Sequence, residues 1–259
     1  MFSITTFAVA VAAASAASAR TFTVKNNCAY TVWPALFTDM GVSTVKPDQP
    51  TGWEQAAGES VTFDVPDEWK AGRIWGRSDC DFNSDKPDYL KCLTGGCNGG
   101  LLCDGTTGTG VPPATVAEWT LEGDGFQDWF DVSVVDGFNI PAKIDNNVGC
   151  GVPSCPVDLN PLCPSELSAN YHHADGSAAG CLTACKAGLA PDLQNDPYCC
   201  TGTYATGPEA CPASGVLYYD LFKDNCPNSY VYAYDEPSGT ALWTCDSNLK
   251  ADYTLTFCP

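Results

Sequence analysis

Sixteen cysteines, all of them after residue 27, constrain the fold of this chain more than any other feature. An even number of cysteines in an oxidising compartment predicts a full set of disulfides, here eight. Metal ligation is the alternative, but no paired CxxC array occurs and the two histidines, His172 and His173, are adjacent in a Gly/Ser/Ala-rich segment. We therefore predict disulfides that supplement a hydrophobic core, with no metal and no cofactor.

The N-terminus predicts export into such a compartment. Residues 1–19 carry no acidic side chain and end in Ala17-Ser18-Ala19, the small-x-small pattern of a signal-peptidase site. A buried N-terminal helix is the alternative, but the run stops abruptly at the strand-like TFTVKNN. No later apolar run approaches the ~20 residues of a membrane helix. The expected product is a secreted monomer, extracellular or in a cell wall, with no transmembrane segment.

The charge balance restricts the partners. The chain has 31 acidic and 12 basic residues and a net charge of −19. Such a surface repels nucleic acids and anionic membranes, so neutral or cationic partners are expected. Most of these acids could simply keep an extracellular protein soluble. That explanation does not account for the few acids that lie within aromatic, strand-forming sequence.

Strand patterns dominate the rest of the chain. They predict strands at residues 20–26, 30–37, 59–65, 72–77, 115–122, 129–135, 138–144, 230–234, 240–244 and 253–257. Helices are predicted only at 178–188 and 215–224. In the first of these, Cys181 and Cys185 would project from one face. The expected fold class is mainly β, with a cysteine-rich insertion.

Three acids stand out in the stretch from residue 118 to 136. Alternation along the first strand places Trp119 in the core and Glu118 on the opposite surface. Asp131 likewise points away from the apolar residues of the next strand. Asp136 would face the other side of that strand unless a turn at Asp136-Gly137 redirects it.

Grouped acids of this kind suit glycoside hydrolysis. That reaction needs one protonated carboxyl and one carboxylate, and crowding raises the pKa of one acid while a nearby arginine keeps another ionised. The alternative is that exposed acids lie near strands by chance.

Several motifs together resemble the thaumatin-like proteins over essentially the whole mature chain. They are GRIWGRSDC at 72–80, CLTGGCNGGLLC at 92–103, PPATVAEW at 112–119, FDVSVVDGFNIP at 130–141, YCC at 198–200 and the terminal TLTFCP. The GWE at 52–54 and the acidic balance are more similar to fungal members. The family's TGDCGG is TGGCNGG here, and the segment around Tyr171-His172-His173 differs from the family pattern.

The resemblance implies a thaumatin-like β-sandwich in three parts. The sandwich would comprise residues 20–145 and 227–259, with a small disulfide loop at 80–103 and a disulfide-rich loop and helix region at 146–226. The implied pairs are Cys28–Cys258, Cys80–Cys92, Cys97–Cys103, Cys150–Cys245, Cys155–Cys226, Cys163–Cys181, Cys185–Cys199 and Cys200–Cys211.

The resemblance also implies an acidic cleft with an Arg-Glu-Asp-Asp-Asp motif. Its members fall on Arg73, Glu118, Asp131, Asp136 and Asp235. The implied activity is that of an endo-β-1,3-glucanase acting on a neutral polysaccharide. Glu118 would be the general acid and Asp136 or Asp131 the nucleophile or base, while Arg73 and Asp235 orient the sugar.

Aromatic side chains near the cleft are expected to stack on sugar rings, namely Trp53, Phe138 and Tyr234. The alternatives are a glucan-binding or antifungal protein without turnover, and an inhibitor of foreign hydrolases that acts through a protruding loop. A wall protein whose acids only keep it soluble is the remaining possibility.

Overall fold

The computed structural model describes residues 19–168 and 170–259, so nearly all of the predicted signal peptide lies outside the described residues. Within those ranges the strands are β1 Ala19–Asn26, β2 Trp33–Thr38, β3 Ser60–Pro66, β4 Gly72–Arg77, β5 Val116–Gly123, β6 Gln127–Ser133, β7 Ala142–Asn146, β8 Ser154–Cys155, β9 Trp243–Asp246 and β10 Tyr253–Phe257. Two short α-helices follow the strand-rich first half, α1 Ser165–Ser168 and α2 Tyr219–Asn225. No helix among the described residues is long and apolar enough to cross a membrane.

The strands form two five-stranded sheets, which confirms the mainly β fold. The first sheet has the order β3-β1-β10-β7-β8, and the second has the order β2-β4-β5-β6-β9. All pairings in the second sheet are antiparallel, whereas β1 and β10 pair in parallel in the first. The last strand of the chain therefore lies in the middle of the first sheet, beside the first strand.

The main core lies between the two sheets and contains large aromatic residues. Phe22 of β1 packs edge-on against Trp119 of β5, with ring centroids 5.1 Å apart. Phe130 of β6 packs against Tyr253 of β10 at 5.0 Å. These contacts confirm the inward direction that alternation predicts for Trp119 and Phe130.

The outer face of the second sheet carries a second cluster beneath the predicted small disulfide loop. Trp75 is fully buried there against Cys97 and Cys103. Arg77 is also buried, and its guanidinium donates to the backbone oxygens of Gly100 at 2.6 Å and Leu101 at 2.9 Å. Burial lowers the pKa of Arg77 to about 10. Arg77 therefore anchors the loop and does not serve a ligand site.

All eight disulfides form with the implied pairing, and no described cysteine is free. Cys28–Cys258 joins the beginning of the sandwich to the end of the chain. Cys150–Cys245 and Cys155–Cys226 tie the cysteine-rich region to the sheets. This region also contributes β8 to the edge of the first sheet.

Three predicted strands need correction. The strand predicted at 138–144 begins only at Ala142, because Phe138 pairs instead with Cys181 through an isolated bridge. Residues 230–234 form no strand, since Tyr230 makes only a single bridge to Ser133. The strand predicted at 240–244 lies at Trp243–Asp246.

The predicted helix at 178–188 does not form. The backbone N–H and C=O of Cys181 are both used by Phe138, at 2.8 and 2.7 Å, so they are unavailable to a helix. Cys181 and Cys185 are also tied to different partners, Cys163 and Cys199. The other predicted helix starts at Tyr219, because Tyr218 adopts a left-handed conformation with φ of 64°.

Candidate functional site

Three neighbouring strands place the first three motif residues in one row across the second sheet. Arg73 on β4 stands opposite Glu118 on β5, and Glu118 stands opposite Asp131 on β6. Residues directly opposite each other on one face of an antiparallel pair have Cβ atoms about 5 Å apart. The Arg73 guanidinium donates from Nη2 to Glu118 Oε1 at 2.9 Å. Strand register alone thus brings one cation and two carboxyls together.

Asp136 joins this row through a turn at Asp136-Gly137, which the sequence permits and the hypothesis of a shared site requires. The N–H of Gly137 donates to the carbonyl of Val134 at 2.9 Å and closes the turn. Gly137 has φ of +97°, and a Cβ there would lie 2.6 Å from the carbonyl oxygen of Cys181. Glycine is therefore required at this position. The turn directs Asp136 towards Arg73, with Oδ2 3.9 Å from Nη1.

The four residues line an open cleft of about 230 Å³. One wall is the sheet. The other wall comes from loops and includes Tyr230 and Ala233. Lys186, from the cysteine-rich region, places its Nζ 2.9 Å from Asp136 Oδ1. Asp136 thus lies between two cations, Arg73 and Lys186.

The two acids in the middle of the row are electrostatically perturbed. Burial raises the pKa of Asp131 well above its usual range, and the neighbouring Glu118 carboxylate adds to that effect. The pKa of Glu118 is raised as well, first by burial, with Arg73 opposing the shift and Asp136 reinforcing it. Asp131 is 9% exposed, and its Oδ1 has no hydrogen-bond partner among the described residues. The Glu118 side chain is 33% exposed and more accessible to a ligand.

Asp235 does not join the cleft, which corrects the predicted fifth member of the motif. Its carboxylate is buried and accepts from the Tyr219 hydroxyl at 2.7 Å, from Lys223 Nζ at 2.9 Å and from the backbone N–H of Val231 at 3.0 Å. These three donors hold the carboxylate beside α2, and it does not line the acidic cleft. Asp235 therefore stabilises the loop that carries Ala233.

The three predicted stacking aromatics also lie elsewhere. Phe138 is fully buried in the main core, since its pairing with Cys181 turns the ring inwards. Trp53 packs against Phe63 of the first sheet, at 6.2 Å between ring centroids. Tyr234 packs on the Cys200–Cys211 disulfide cluster and donates to the carbonyl of Ala205 at 2.7 Å. None of them lines the acidic cleft.

Sequence reasoning missed three residues near the row of acids. Lys186 and Tyr230 contact or line the cleft, and the carboxylate of Glu236 accepts a hydrogen bond from the Tyr230 hydroxyl. Glu236 also contributes to the raised pKa of Asp131. The one available signal was the run YDE at 234–236, in which either Asp235 or Glu236 could be the fifth acid of the motif.

The arrangement can both hold and accept a proton. The raised pKa values let the Glu118–Asp131 pair retain a proton at a pH where ordinary carboxyls are ionised, and the Asp136 carboxyl lies between two cations. Such a combination suits general acid–base chemistry. Among residues 19–168 and 170–259, no cluster of three His, Cys, Asp or Glu side chains is arranged to bind a metal ion.

Comparison with known proteins identifies the family. Residues 26–259 match the Thaumatin family. A protein from Pyrus pyrifolia named Thaumatin-like protein 1 is 41% identical over 242 residues, which cover 92% of this chain and 90% of the relative. A protein from Prunus avium named Glucan endo-1,3-beta-glucosidase is 40% identical over 248 residues, which cover 94% and 92%.

A solved structure resembles the fold at much lower identity. It is a GH family 64 laminaripentaose-producing beta-1,3-glucanase from Paenibacillus barengoltzii, complexed with laminarihexaose. The TM-score is 0.53 at 12% identity, over 92% of this chain and 74% of that chain. The relatives described above come from plants, so the resemblance to fungal members stays a prediction. The family match and the two relatives show that the chain belongs to the Thaumatin family.

Proposed function

We propose that the protein is secreted and hydrolyses β-1,3-glucan in its acidic cleft as an endo-β-1,3-glucanase. The observation that carries the proposal is the row of Arg73, Glu118 and Asp131 across three strands, with Asp136 turned towards it. The relative named Glucan endo-1,3-beta-glucosidase supports this substrate class. Eight disulfides and the predicted signal peptide support secretion.

The general acid is the Glu118–Asp131 pair. When two carboxyls lie this close and one is buried, they titrate as a unit and retain one proton between them. Asp131 holds that proton more tightly because it is more deeply buried. Glu118 is the more exposed member, so the proton passes from Asp131 to Glu118, which donates it to the glycosidic oxygen. Asp131 then acts as a positioning residue that provides Glu118 with the proton it donates.

Asp136 is the nucleophile or the water-activating base. A protonated Asp131 cannot attack a sugar carbon, whereas Asp136 faces two cations, Lys186 and Arg73. Arg73 contacts both Glu118 and Asp136, so one guanidinium fixes the acid relative to the base. A neutral polysaccharide can approach these charges without the repulsion that an anionic ligand would meet.

Glucan binding without turnover is the second candidate, and one contact favours it. The 2.9 Å ion pair between Lys186 and Asp136 engages an oxygen that a nucleophile needs free. If the pair persists when glucan is bound, the acids only accept hydrogen bonds from sugar hydroxyls. Binding to insoluble β-1,3-glucan would then occur without release of reducing ends.

The decisive experiment measures reducing-sugar release from laminarin and pull-down on insoluble β-1,3-glucan with the same protein samples. Glu118→Gln should retain the fold and pull-down, and should lose at least a hundredfold in hydrolysis, because a positioned general acid contributes roughly 10²–10⁴-fold. The matched control is Glu209→Gln, at an exposed position in the cysteine-rich region.

Each outcome has a distinct meaning. Full hydrolysis by Glu118→Gln would eliminate this mechanism. Pull-down by the wild type without reducing-sugar release would support the binding-only alternative. Absence of both activities would overturn the assignment of β-1,3-glucan to the cleft.

A further inference from the structure

A second groove lies outside the acidic cleft and shares no lining residue with it. Its volume is about 690 Å³, three times that of the acidic cleft and within the range of about 300–1,000 Å³ usual for ligand sites. Four parts of the chain meet there: Tyr30 after β1, Asp79 after β4, Asn139 before β7, and described residues of the cysteine-rich region between 158 and 168 and between 172 and 179. We call it the hairpin groove.

One wall of the hairpin groove is a small hairpin, residues 171–179, which contains the segment that departs from the family pattern. His172 pairs with Ala178, and the N–H of His173 donates to Ser177 O at 2.8 Å. The His173 ring holds the hairpin to the opposite wall, because its Nδ1 lies 2.7 Å from Asp79 Oδ2. This contact and the backbone hydrogen bonds of the hairpin give the groove its shape in the structure.

The charge of the groove excludes anionic ligands. Asp79 and Asp158 line it, and none of the described lining residues is Lys or Arg. A strongly cationic ligand is not favoured either, because both carboxylates already have partners. Asp79 faces His173, and Asp158 Oδ1 accepts from the backbone N–H of Asn160 at 3.0 Å. Their remaining lone pairs can accept hydrogen bonds from neutral donors.

An aromatic side chain faces the same space as the two acids. Tyr30 is 48% exposed, and partial burial, with Asp158 and Asp79 adding to its effect, raises the pKa of the phenol. The ring therefore stays neutral and offers an apolar surface beside two acceptors.

We propose that the hairpin groove is a second binding site, for a neutral oligosaccharide, with Tyr30 stacking on a sugar ring and Asp79 and Asp158 accepting from its hydroxyls. Sugars combine an apolar ring face with many hydroxyl donors, which matches this wall chemistry. The site does not depend on turnover in the acidic cleft. Two saccharide sites on one rigid molecule would increase retention on an insoluble polysaccharide by raising the effective concentration at the second site.

The two histidines make the test specific. They are the only histidines in the sequence, and both line the hairpin groove and not the acidic cleft. Histidine-labelled protein is titrated with laminarihexaose, cellohexaose and mannohexaose while the imidazole NMR signals are recorded. Glu118→Gln serves as the background, so that hydrolysis of the probe does not intervene.

At least one neutral hexaose should shift the imidazole signals saturably. Tyr30→Ala should weaken that binding about tenfold, the loss expected when an aromatic stacking surface is removed. Tyr89→Ala is the matched control, because Tyr89 is 41% exposed and lines neither site. When Glu118 is retained, the Tyr30→Ala and Tyr89→Ala proteins should hydrolyse laminarin at the same rate.

Three results would overturn the proposal. The first is no saturable shift with any of the three neutral hexaoses. The second is unchanged affinity in Tyr30→Ala. The third is a response only to a charged oligosaccharide, tested with a chitosan hexamer as the cation and a galacturonate hexamer as the anion. If the wild-type protein does not hydrolyse laminarin but the imidazole signals still shift with a neutral hexaose, the proposed glucanase activity is wrong and the second binding site stands.

Discussion

Replacing the buried Asp131 by asparagine should stabilise the protein at neutral pH. Asp131 and Glu118 stand opposite each other on β5 and β6, and Cβ atoms in such a pair are about 5 Å apart. Two ionised carboxylates at roughly that separation repel by about 3 kcal/mol at an effective dielectric constant of about 20. Arg73 offsets part of this repulsion, while burial adds to the cost of a second charge.

The sign of the effect follows from the raised pKa of Asp131. The folded protein binds this proton more tightly than the unfolded chain does. Its free energy of unfolding therefore falls as the pH rises from the ordinary carboxyl range, about 4, through the raised pKa, by about 1.4 kcal/mol for each unit between the two. Asparagine has nearly the same shape and cannot ionise. We expect Asp131→Asn to exceed the wild type by about 1–3 kcal/mol at pH 7 and to match it near pH 3.

Calorimetry of the oxidised protein at pH 3, 5 and 7 measures this difference. For a chain of this size each kcal/mol corresponds to a shift in Tm of roughly 2–4 °C. Asp48→Asn at an exposed position controls for the change in net charge. The reasoning fails if Asp131→Asn follows the pH dependence of the wild type, or if the variant is less stable than the wild type at pH 7. Laminarin hydrolysis should fall in the same variant, because Glu118 then has no partner with which to share a proton.

Two further variants test the opposite wall and the buried fifth acid. Lys186→Met removes the 2.9 Å contact with Asp136 and should lower laminarin hydrolysis at least tenfold without changing Tm. Lys91→Met breaks a surface ion pair with Asp88 and should change neither the rate of hydrolysis nor Tm. An unchanged rate would exclude Lys186 from the site. Asp235→Ala should lower the free energy of unfolding by about 3–5 kcal/mol in urea, because Lys223 is left without its buried partner. Loss of hydrolysis with full stability would return Asp235 to the cleft.

The sheet wall of the cleft is the part that the sequence predicts well. Strand alternation depends only on which residues are apolar, so Trp119 inwards and Glu118 outwards follow from the pattern alone. The same alternation predicts that Asp131 points away from the core. The turn at Gly137 could be inferred because an Asp-Gly pair favours a positive φ at the glycine, and that turn is what redirects Asp136.

The loop wall could not be predicted in this way. Residues 150–226 have few apolar periodicities, and their paths depend on disulfides and isolated bridges that join distant residues. Phe138 illustrates the difficulty. It directly follows the turn that carries Asp136, so its position in the sequence predicts a place near the cleft. The backbone bridge to Cys181 instead directs its ring into the core. Lys186 gave no signal at all, because its place depends on the disulfide of its neighbour Cys185.

The two walls of the cleft are therefore held by different forces. Arg73, Glu118 and Asp131 lie on three hydrogen-bonded strands whose inner face is the aromatic core, so their positions share the stability of the whole sandwich. Lys186 lies on a loop, directly after Cys185, which is bonded to Cys199; four residues before Cys185, Cys181 is bonded to Cys163.

This division explains why a fold with few helices carries so many disulfides in one region. The buried acid pair lowers the stability of the protein at neutral pH, and the sheet tolerates this loss because its core is large. The loop wall has no comparable core, and covalent links limit the conformations it can adopt when unfolded. The cross-links near residue 186 thus serve the site directly, because they keep the cation beside Asp136 while the strands keep the acids in register.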